Sequence, residues 1–413
     1  MNCRVPFPVS LALLSLAACG GAAPPAPPLP PVTTAPAAAL APTAQPTAPL
    51  PPWASLYPAT RTVDQRDTLF GTEVRDPYRW LEDGKSPEVQ SWLVAQDKLA
   101  RAKLDALPDR AALLARLKEL SYVDSQTTPV SRGGRLFYMR RTGTQEKSVL
   151  YYRVGKAGAE HLLIDPSTWS SDGSSSLHEW SVSWDGKRIA YKRSENNSDE
   201  ATMYVMDVDT GKVSTVDVIP GAKYAYASWL PTNDGFYYTR LPVDPSIPVD
   251  ARPGMREVRF HKLGVDPAKD ELVLDKTGDP TLQIAGFVSR DGHWLFSELD
   301  RGWRSNDLAF RDLRKPGSKE WTTIVKGTDS LYDVTAYKDR FYVHTNDGAP
   351  NWRVFAVDPA HPERAAWKEI VPERPDATLD GLLVAGGTLA LTYIKDVTSR
   401  VELHDLGGKL LRE

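Results

Sequence analysis

The sequence predicts a mainly β fold, a β-propeller of about six blades preceded by a short α-helical segment. A tight turn rich in Gly and Asp recurs roughly every 50 residues, and an aromatic-rich strand follows each turn, with another alternating strand downstream. Short strands repeated at this period are typical of propeller blades, whose four-stranded sheets bury their faces only against neighbouring blades. The six turns are Gly133-Gly134, Asp185-Gly186, Asp234-Gly235, Asp291-Gly292, Asp339-Arg340 and Gly386-Gly387.

The last repeat reaches Glu413 soon after the strand predicted for Val401 to Leu406 and the turn at Gly407-Gly408. We therefore predict that the sixth blade lacks its final strand and that the ring is open and truncated. An open ring exposes strand edges and apolar blade faces, which favour aggregation.

Residues 1–19 are predicted to be a lipoprotein signal peptide. A basic Arg4 precedes an apolar run from Val9 to Ala18, which is too short to span a membrane. The run ends in Leu-Ala-Ala-Cys, which resembles the bacterial lipobox and implies cleavage before Cys19 and lipidation of its sulfur. Gly20 replaces the Asp that retains lipoproteins at the inner membrane, so we expect an exported protein anchored in the bacterial cell envelope, with the outer membrane or its periplasmic face favoured. The alternative is a plain secretory signal that happens to end in Cys.

Residues 20–55 form a Pro/Ala-rich linker, an extended spacer with nothing to pack. The chain has two cysteines, and the predicted processing would remove Cys3 and lipidate Cys19, which leaves no disulfide framework. The net charge is −3, with 50 basic and 53 acidic residues, so nucleic acid is not an expected partner.

A helical segment, residues 56–125, precedes the propeller, which we assign to residues 126–413. The first helix is predicted to begin at Ser86-Pro87-Glu88, with Ser as cap and Pro in the first turn. A second begins at Pro108-Asp109. Both carry apolar residues at helical spacing, so their apolar faces require another domain; in the second helix these are Leu113, Leu114, Leu117 and Leu120.

Several ordered motifs carry a family resemblance. Asp76–Asp83 has the sequence DPYRWLED, and Thr345–Asn351 has the sequence TNDGAPN. Between and beyond them lie Gln145–Tyr152, Ile164–Pro166, Ser183–Gly186, Ala227–Trp229, Tyr237–Arg240, Trp367–Glu369 and Asp396–Arg400. From about Tyr57 to Glu413 the chain resembles the N-terminal β-propeller portion of the prolyl oligopeptidase family of serine peptidases.

The resemblance implies a two-domain enzyme in which a seven-bladed propeller is inserted near the N-terminus of an α/β-hydrolase domain. In that family the N-terminal helices pack on the hydrolase domain, and the propeller admits short peptides while excluding folded proteins. Cleavage falls after proline. The implied partners are short proline-containing peptides and, as packing partner, a C-terminal hydrolase domain that this chain lacks.

Peptide hydrolysis by this route needs a Ser, a His and an Asp, with the Ser in a Gly-x-Ser-x-Gly elbow. The nearest segment, Gly173–Leu177, has Leu where the second Gly must be, and we interpret it as a blade loop. In the family all three residues lie C-terminal to the propeller. No catalytic residue is therefore assigned, and the chain alone is expected to be inactive.

No cofactor or metal site is predicted. None of the seven histidines accompanies a Ser in an elbow or has metal-ligand spacing. The turn Asp207–Gly211 lacks the later ligands of a calcium loop. In the family a few propeller residues help to orient the peptide, and Asp165 lies in a matching stretch, but capping a turn is the simpler interpretation. The histidines are His161, His178, His261, His293, His344, His361 and His404.

A second function fits the same sequence: a non-catalytic lipoprotein propeller that serves as a binding or assembly scaffold in the envelope. The lipobox, the linker and the absence of a nucleophile favour it. An unclosed ring and helices without a partner count against it.

Overall fold

The computed structural model describes residues 56–315 and 317–413, which fall into two compact units divided between Ser121 and Tyr122. The signal peptide, the linker and Cys19 lie outside the described residues. No helix within the described ranges is long and apolar enough to cross a membrane.

The smaller unit holds a hairpin of strands β1 and β2 and two helices, α1 and α2. Ser86 caps α1 by accepting a hydrogen bond of 3.2 Å from the Val89 amide, which confirms the predicted helix start. The hairpin was not predicted, and its turn at Phe70-Gly71 has positive φ at both residues. The elements are β1 Arg66–Leu69, β2 Thr72–Arg75, α1 Pro87–Asp105 and α2 Arg110–Ser121.

The motif Asp76–Asp83 joins the hairpin, helix α1 and the segment of residues 60–63 in this unit. Arg79 donates to Asp76 at 2.6 Å and also binds Asp67 of β1. The Trp80 indole donates to the Arg61 carbonyl oxygen at 3.0 Å, and Arg61 in turn binds Glu88 of α1. The motif is therefore a set of hydrogen bonds that fixes the hairpin and helix α1 against residues 60–63.

The predicted apolar face of α2 is solvent-exposed in the structure. None of the residues of α2 is buried, and the four leucines predicted to share a face are each between 43% and 59% exposed. An apolar face this exposed is the kind of surface that packs against another protein surface.

The larger unit, residues 122–413, is built from six antiparallel sheets in the described part of the chain. This confirms the mainly β propeller of about six blades; the seventh blade implied by the resemblance stays a prediction. The first three sheets comprise β3 Ser125–Gln126, β4 Val130–Arg132, β5 Arg135–Arg141, β6 Val149–Val154 and β7 Glu160–Ile164; β8 Ser176–Val182, β9 Arg188–Ser194, β10 Ala201–Asp207 and β11 Val213–Ile219; β12 Ser228–Trp229, β13 Gly235–Arg240, β14 Glu257–Lys262 and β15 Glu271–Leu274. The other three comprise β16 Leu282–Val288, β17 Trp294–Arg301, β18 Ser305–Asp312 and β19 Thr322–Val325; β20 Tyr332–Tyr337, β21 Arg340–Thr345, β22 Arg353–Val357 and β23 Lys368–Val371; β24 Thr378–Ala385, β25 Thr388–Lys395, β26 Thr398–His404 and β27 Leu410–Arg412.

Strand order in each sheet follows the chain, and in the first sheet both β3 and β4 pair with β5. The six predicted Gly and Asp turns are each followed by the predicted aromatic-rich strand, and each joins the first strand of a blade to its second. Because the strands alternate in direction, the connections from second to third strand and from blade to blade lie together at one end of the blades. We call this end the connection face, and the opposite end the hairpin face.

The prediction that the sixth blade lacks its final strand is wrong. Strand β27 pairs with β26, with His404 opposite Leu410 and Leu403 opposite Arg412. Gly408 makes the preceding turn possible, because it has φ +89° and a Cβ there would overlap the carbonyl oxygen of Ile370 in the fifth blade. A strand of three residues is too short to produce a visible alternating pattern, which is why the sequence did not indicate it.

Neighbouring blades are joined by apolar layers. The largest of these joins the fourth and fifth blades around Phe341, whose ring centroid lies 5.1 Å from Trp294, 5.0 Å from Phe296 and 4.9 Å from Phe310. Edge-on aromatic contacts of this kind add to the free energy gained from area burial. Similar layers join the first to the second blade, the second to the third, and the fifth to the sixth.

The third and fourth blades meet where Gly286 of β16 faces Val258 of β14. A Cβ at Gly286 would lie 2.6 Å from a methyl carbon of Val258, closer than carbon atoms pack. The Val288 amide also donates to the Ser228 hydroxyl at 2.9 Å across the same pair of blades. The absence of a side chain at Gly286 therefore sets how closely these two sheets approach.

Candidate functional site

Three residues from three different segments meet at the connection face and form what we call the Tyr224 cluster: Tyr224, Arg256 and Gln283. Tyr224 precedes the third blade, Arg256 directly precedes β14, and Gln283 lies at the start of β16. The Arg256 guanidinium carbon lies 3.6 Å from the centre of the Tyr224 ring, and Nη1 donates to the Gln283 amide oxygen at 3.0 Å. The Arg256 guanidinium thereby packs on one face of the Tyr224 ring and fixes its position.

Arg256 is almost fully buried, with 5% of its surface exposed. Burial lowers the pKa of its guanidinium, an effect that Tyr224 partly offsets. Its Nε has no hydrogen-bond partner in the described part of the chain. Burying a cation is costly, and the negative charge of Asp300, which lies opposite Gln283 on β17, partly offsets that cost here.

A second buried cation, Lys192 of β9, lies beside the cluster. Its ammonium is 2.6 Å from a carboxylate oxygen of Glu179 and donates to the Lys223 carbonyl oxygen at 2.8 Å. Burial raises the pKa of Glu179, but the charge and the hydrogen bond of Lys192, together with smaller contributions, hold that pKa below its ordinary value. The pair fixes the backbone at Lys223 and so the position of the partly exposed Tyr224 next to it.

The serine-rich segment Gly173–Leu177 is an ordered loop. The Ser175 hydroxyl donates to Glu195, and its amide donates to Ser170 at 3.1 Å. Lys147 donates to the carbonyl oxygens of Gly173 and Ser175. These contacts are those of a hydrogen-bonded blade loop, and Ser175 is fully buried.

One histidine does meet a serine. His178 Nε2 lies 2.8 Å from the Ser194 hydroxyl, on the first and second strands of the second blade. Ser194 is buried and lies in a strand, whereas a serine nucleophile needs an exposed hydroxyl at a sharp turn with oxyanion donors beside it. The pair is a cross-strand contact.

His261 is fully buried between two carboxylates. Its Nδ1 lies 2.9 Å from Asp270, and its Nε2 lies 3.0 Å from Asp217 in the second blade. Asp270 also accepts from the Tyr238 hydroxyl at 2.7 Å. Burial lowers the pKa of His261, but the hydrogen bonds and charges of Asp270 and Asp217 raise it further than burial lowers it, so the net shift is upward.

The remaining histidines have structural contacts. His344 stacks on Trp352 at 4.3 Å, and His161 stacks on Tyr152 at 5.0 Å. His404 lies 2.9 Å from Glu402. His293 and His361 face acidic neighbours near the surface, Asp291 and Glu363.

Asp165 caps a short helical turn. Its carboxylate accepts from the Ser167 amide at 2.9 Å and from the Ser167 hydroxyl at 2.6 Å. Both contacts are those of a residue that caps a turn, which is the simpler interpretation of Asp165 given in the sequence analysis.

The acidic turn at Asp207–Gly211 is likewise occupied by protein donors. Asp207 accepts from the Thr210 amide at 2.9 Å and pairs with Arg188. Asp209 pairs with Arg135. Within residues 56–315 and 317–413 no group of three His, Cys, Asp or Glu residues could hold a metal ion.

The fold thus defines a class of protein in which an N-terminal unit with an exposed apolar helix precedes a β-propeller, here with six described blades. The connection face of the propeller carries a partly exposed tyrosine next to buried cations. Residues 57–413 match the family described as prolyl oligopeptidase, N-terminal beta-propeller domain. The chain belongs to the prolyl oligopeptidase family.

Curated relatives agree with this assignment. The prolyl endopeptidase of Elizabethkingia miricola is 30% identical over 364 residues, which cover 86% of this chain and 50% of the relative. Prolyl oligopeptidase A of Amanita bisporigera is 27% identical over 400 residues, covering 87% and 52%. The chain therefore spans about half the length of the curated relatives that it matches.

Solved structures are similar over the same range. A structure from a structural and mechanistic study of two prolyl endopeptidases matches with a TM-score of 0.81 and 52% identity, covering 86% of this chain and 52% of that one. Prolyl oligopeptidase B of Galerina marginata, bound to a 35-residue hydrolysis and macrocyclization substrate, matches with a TM-score of 0.74 and 25% identity.

Proposed function

We propose that this chain is the propeller portion of an exported, membrane-tethered prolyl oligopeptidase that cleaves short peptides after proline. The observation that carries the proposal is the family match over residues 57–413, about half the length of peptidases in that family. In this proposal the Ser, His and Asp lie in an α/β-hydrolase domain that follows the propeller.

The exposed face of α2 supports such a domain. Leu113, Leu114, Leu117 and Leu120 present apolar surface that a folded partner would cover. In the proposed enzyme these helices pack on the hydrolase domain, and the propeller controls which substrates enter.

The Tyr224 cluster is the propeller feature that we propose contacts the peptide. Tyr224 offers a rigid ring with a polar hydroxyl, a side chain that binds peptides with little loss of conformational entropy. Arg256 acts as a positioning residue because it is buried and packs on the Tyr224 ring, and Gln283 in turn holds Arg256 by accepting its hydrogen bond.

The peptidase proposal is tested in two steps. The DNA downstream of codon 413 should encode a Gly-x-Ser-x-Gly elbow, then an Asp and a His, in one frame. The chain of residues 1–413 should not hydrolyse a chromogenic Gly-Pro anilide, whereas the extended protein should. Turnover by the clean 413-residue chain would contradict the proposal.

The role of Tyr224 is tested in the extended protein. Tyr224→Ala should raise KM by about tenfold and change kcat less, as expected for loss of an interaction made with bound substrate. Tyr224→Phe is the matched control and should retain the stacking surface. An unchanged KM in Tyr224→Ala would show that the Tyr224 cluster does not contact the substrate.

Export and tethering are tested by fractionation. The native protein should be found in the membrane fraction, and Cys19→Ser should release it, because Cys19 is the proposed lipid attachment site. Equal membrane association of both forms would overturn the anchor. A sharp cooperative melt of the 413-residue chain, together with unrelated downstream DNA, would favour the envelope scaffold instead.

A further inference from the structure

A cleft of about 270 Å³ lies at the outer rim of the third blade, and we call it the blade-three cleft. One wall is the segment 241–256, which joins β13 to β14, and Lys276 stands at the far side just after β15. Because β15 is the outermost strand of its sheet, this position is at the periphery of the connection face. The residues lining the cleft do not include any member of the Tyr224 cluster.

The walls of the cleft are fixed by hydrogen bonds to backbone carbonyl oxygens. Leu241 donates to the Gly221 carbonyl oxygen at 2.9 Å, and Gly278 donates to the Gly254 carbonyl oxygen at 2.8 Å. Arg252 Nε donates to the Ile247 carbonyl oxygen at 3.2 Å. A segment held at both ends and in the middle forms its cavity before any ligand arrives, which lowers the cost of binding.

The lining of the cleft is amphipathic. Leu241, Ile247 and Met255 supply aliphatic surface on one wall. Binding pockets combine such surface with a few polar groups that orient the ligand. The volume is close to the lower end for ligand pockets, so it suits a single residue rather than a long chain.

The charges in the cleft do not balance. Arg259 is paired with Glu257 at 2.7 Å and donates to the Asp270 carbonyl oxygen at 2.9 Å. Arg240 makes only a long contact of 3.5 Å with the Pro267 carbonyl oxygen, and within the described residues neither Arg240 nor Lys276 forms an ion pair. The one carboxylate that lines the cleft, Glu257, is thus taken up by Arg259, which leaves the charges of Arg240 and Lys276 uncompensated beside the aliphatic wall.

From this arrangement we infer that the blade-three cleft binds a carboxylate that carries an aliphatic group, the chemistry of the C-terminal residue of a peptide. Arg240 and Lys276 bind the carboxylate, and the aliphatic wall holds the side chain. Charge-assisted hydrogen bonds to a carboxylate supply the affinity, and the wall distinguishes an aliphatic carboxylate from a small inorganic anion.

Calorimetric titration of the 413-residue chain tests this assignment with four probes: N-acetyl-leucine, its amide, N-acetyl-glycine and inorganic phosphate. We expect N-acetyl-leucine to bind, and the amide and N-acetyl-glycine to bind at least about tenfold more weakly, since one lacks the charge and the other the side chain. Equal binding of acid and amide, or no binding of the acid, would overturn the site. If phosphate binds as tightly as N-acetyl-leucine, the cleft is a general anion site and the inferred specificity for an aliphatic group is wrong.

Single-residue variants test whether N-acetyl-leucine binds in the blade-three cleft. Lys276→Gln and Arg240→Gln should each weaken N-acetyl-leucine binding by about tenfold. Lys326→Gln is the matched control, because Lys326 is an exposed lysine of the fourth blade and should leave affinity unchanged. Circular dichroism shows whether each variant folds, and Lys276, being exposed, is the variant least able to disturb the fold. Unaltered affinity in Lys276→Gln would place the ligand elsewhere and contradict the inference.

Discussion

His261 of the third blade and Asp217 of the second are joined through His261 Nε2 at 3.0 Å. The other ring nitrogen faces Asp270 at 2.9 Å, so the protonated imidazolium can donate to a carboxylate oxygen from each nitrogen. The hydrogen bonds and charges of the two carboxylates favour that form and raise the pKa of His261. When protonated, His261 is a buried cation between two carboxylates and connects the two blades.

The first prediction follows from this charge. The pKa of His261 is raised above its unfolded value of 6.5, so its contribution to the free energy of unfolding is complete below that pH and is lost as pH rises through the raised pKa. Asp217 and Asp270 carry the opposing charges, and the raised pKa of Tyr238 keeps its hydroxyl protonated in this range. Urea unfolding between about pH 6 and pH 9 should show a midpoint that falls as pH rises.

Replacing the histidine tests the same contact. His261→Gln should lower the free energy of unfolding by about 3 to 5 kcal/mol at about pH 6, because it leaves two carboxylates buried without their cation. The pH dependence should flatten in this variant. His161→Gln is the control, since His161 stacks on Tyr152 at an exposed position and should leave the slope as it is. An unchanged slope in His261→Gln would assign the pH dependence to another group.

The second prediction concerns the aromatic layer between the fourth and fifth blades. Phe341 is fully buried and touches three aromatic rings, so Phe341→Ala should cost about 3 to 5 kcal/mol in urea unfolding. Phe70→Ala is the exposed counterpart and should change stability by less than about 0.5 kcal/mol. Similar costs for the two would show that the layer does not hold these blades together.

The third prediction concerns the close approach of the third and fourth blades. Gly286→Ala should destabilise the protein by about 1 to 3 kcal/mol through overlap with Val258. Adding Val258→Ala removes the overlapping methyl groups, so the double variant should be less destabilised than the sum of the two single variants. Strict additivity in a double-mutant cycle would mean that the two positions do not compete for space.

The fourth prediction compares two adjacent glycines. Gly408→Ala should cost more than about 2 kcal/mol, because the position has positive φ and a Cβ would meet the Ile370 carbonyl oxygen. Gly407→Ala places its Cβ 3.3 Å from the end of the Asp405 side chain, which can move, and should cost under about 1 kcal/mol. Thermal melting of both variants measures the difference, and the reverse order would contradict the turn geometry.

The repeat was predictable because each blade uses the same short-range turn chemistry. The turns at Gly133-Gly134 and Asp185-Gly186 place glycines at positive φ between the first and second strands, and such positions are visible in sequence. The start of α1 was predictable for a similar reason, since Ser86 and Pro87 are local signals. Strand β27 was missed because three residues carry no measurable periodicity.

The Tyr224 cluster and the contact between His261 and Asp217 were not predictable from the sequence. Tyr224, Arg256 and Gln283 are separated by whole strands, and none belongs to a motif with fixed spacing. Their proximity depends on how three blades are arranged, which a repeat pattern does not specify. Asp217 could not be singled out either, because its contact with His261 forms only when the second blade packs against the third.

Each sheet in the described part of the propeller is assembled from one uninterrupted stretch of chain. Every blade can therefore complete its own hydrogen bonds soon after its residues leave the ribosome, and it need not wait for a strand synthesised much later. Pairing that is local in sequence has a low loop-closure cost and favours rapid formation. We expect each new blade to dock on the one before it as synthesis proceeds.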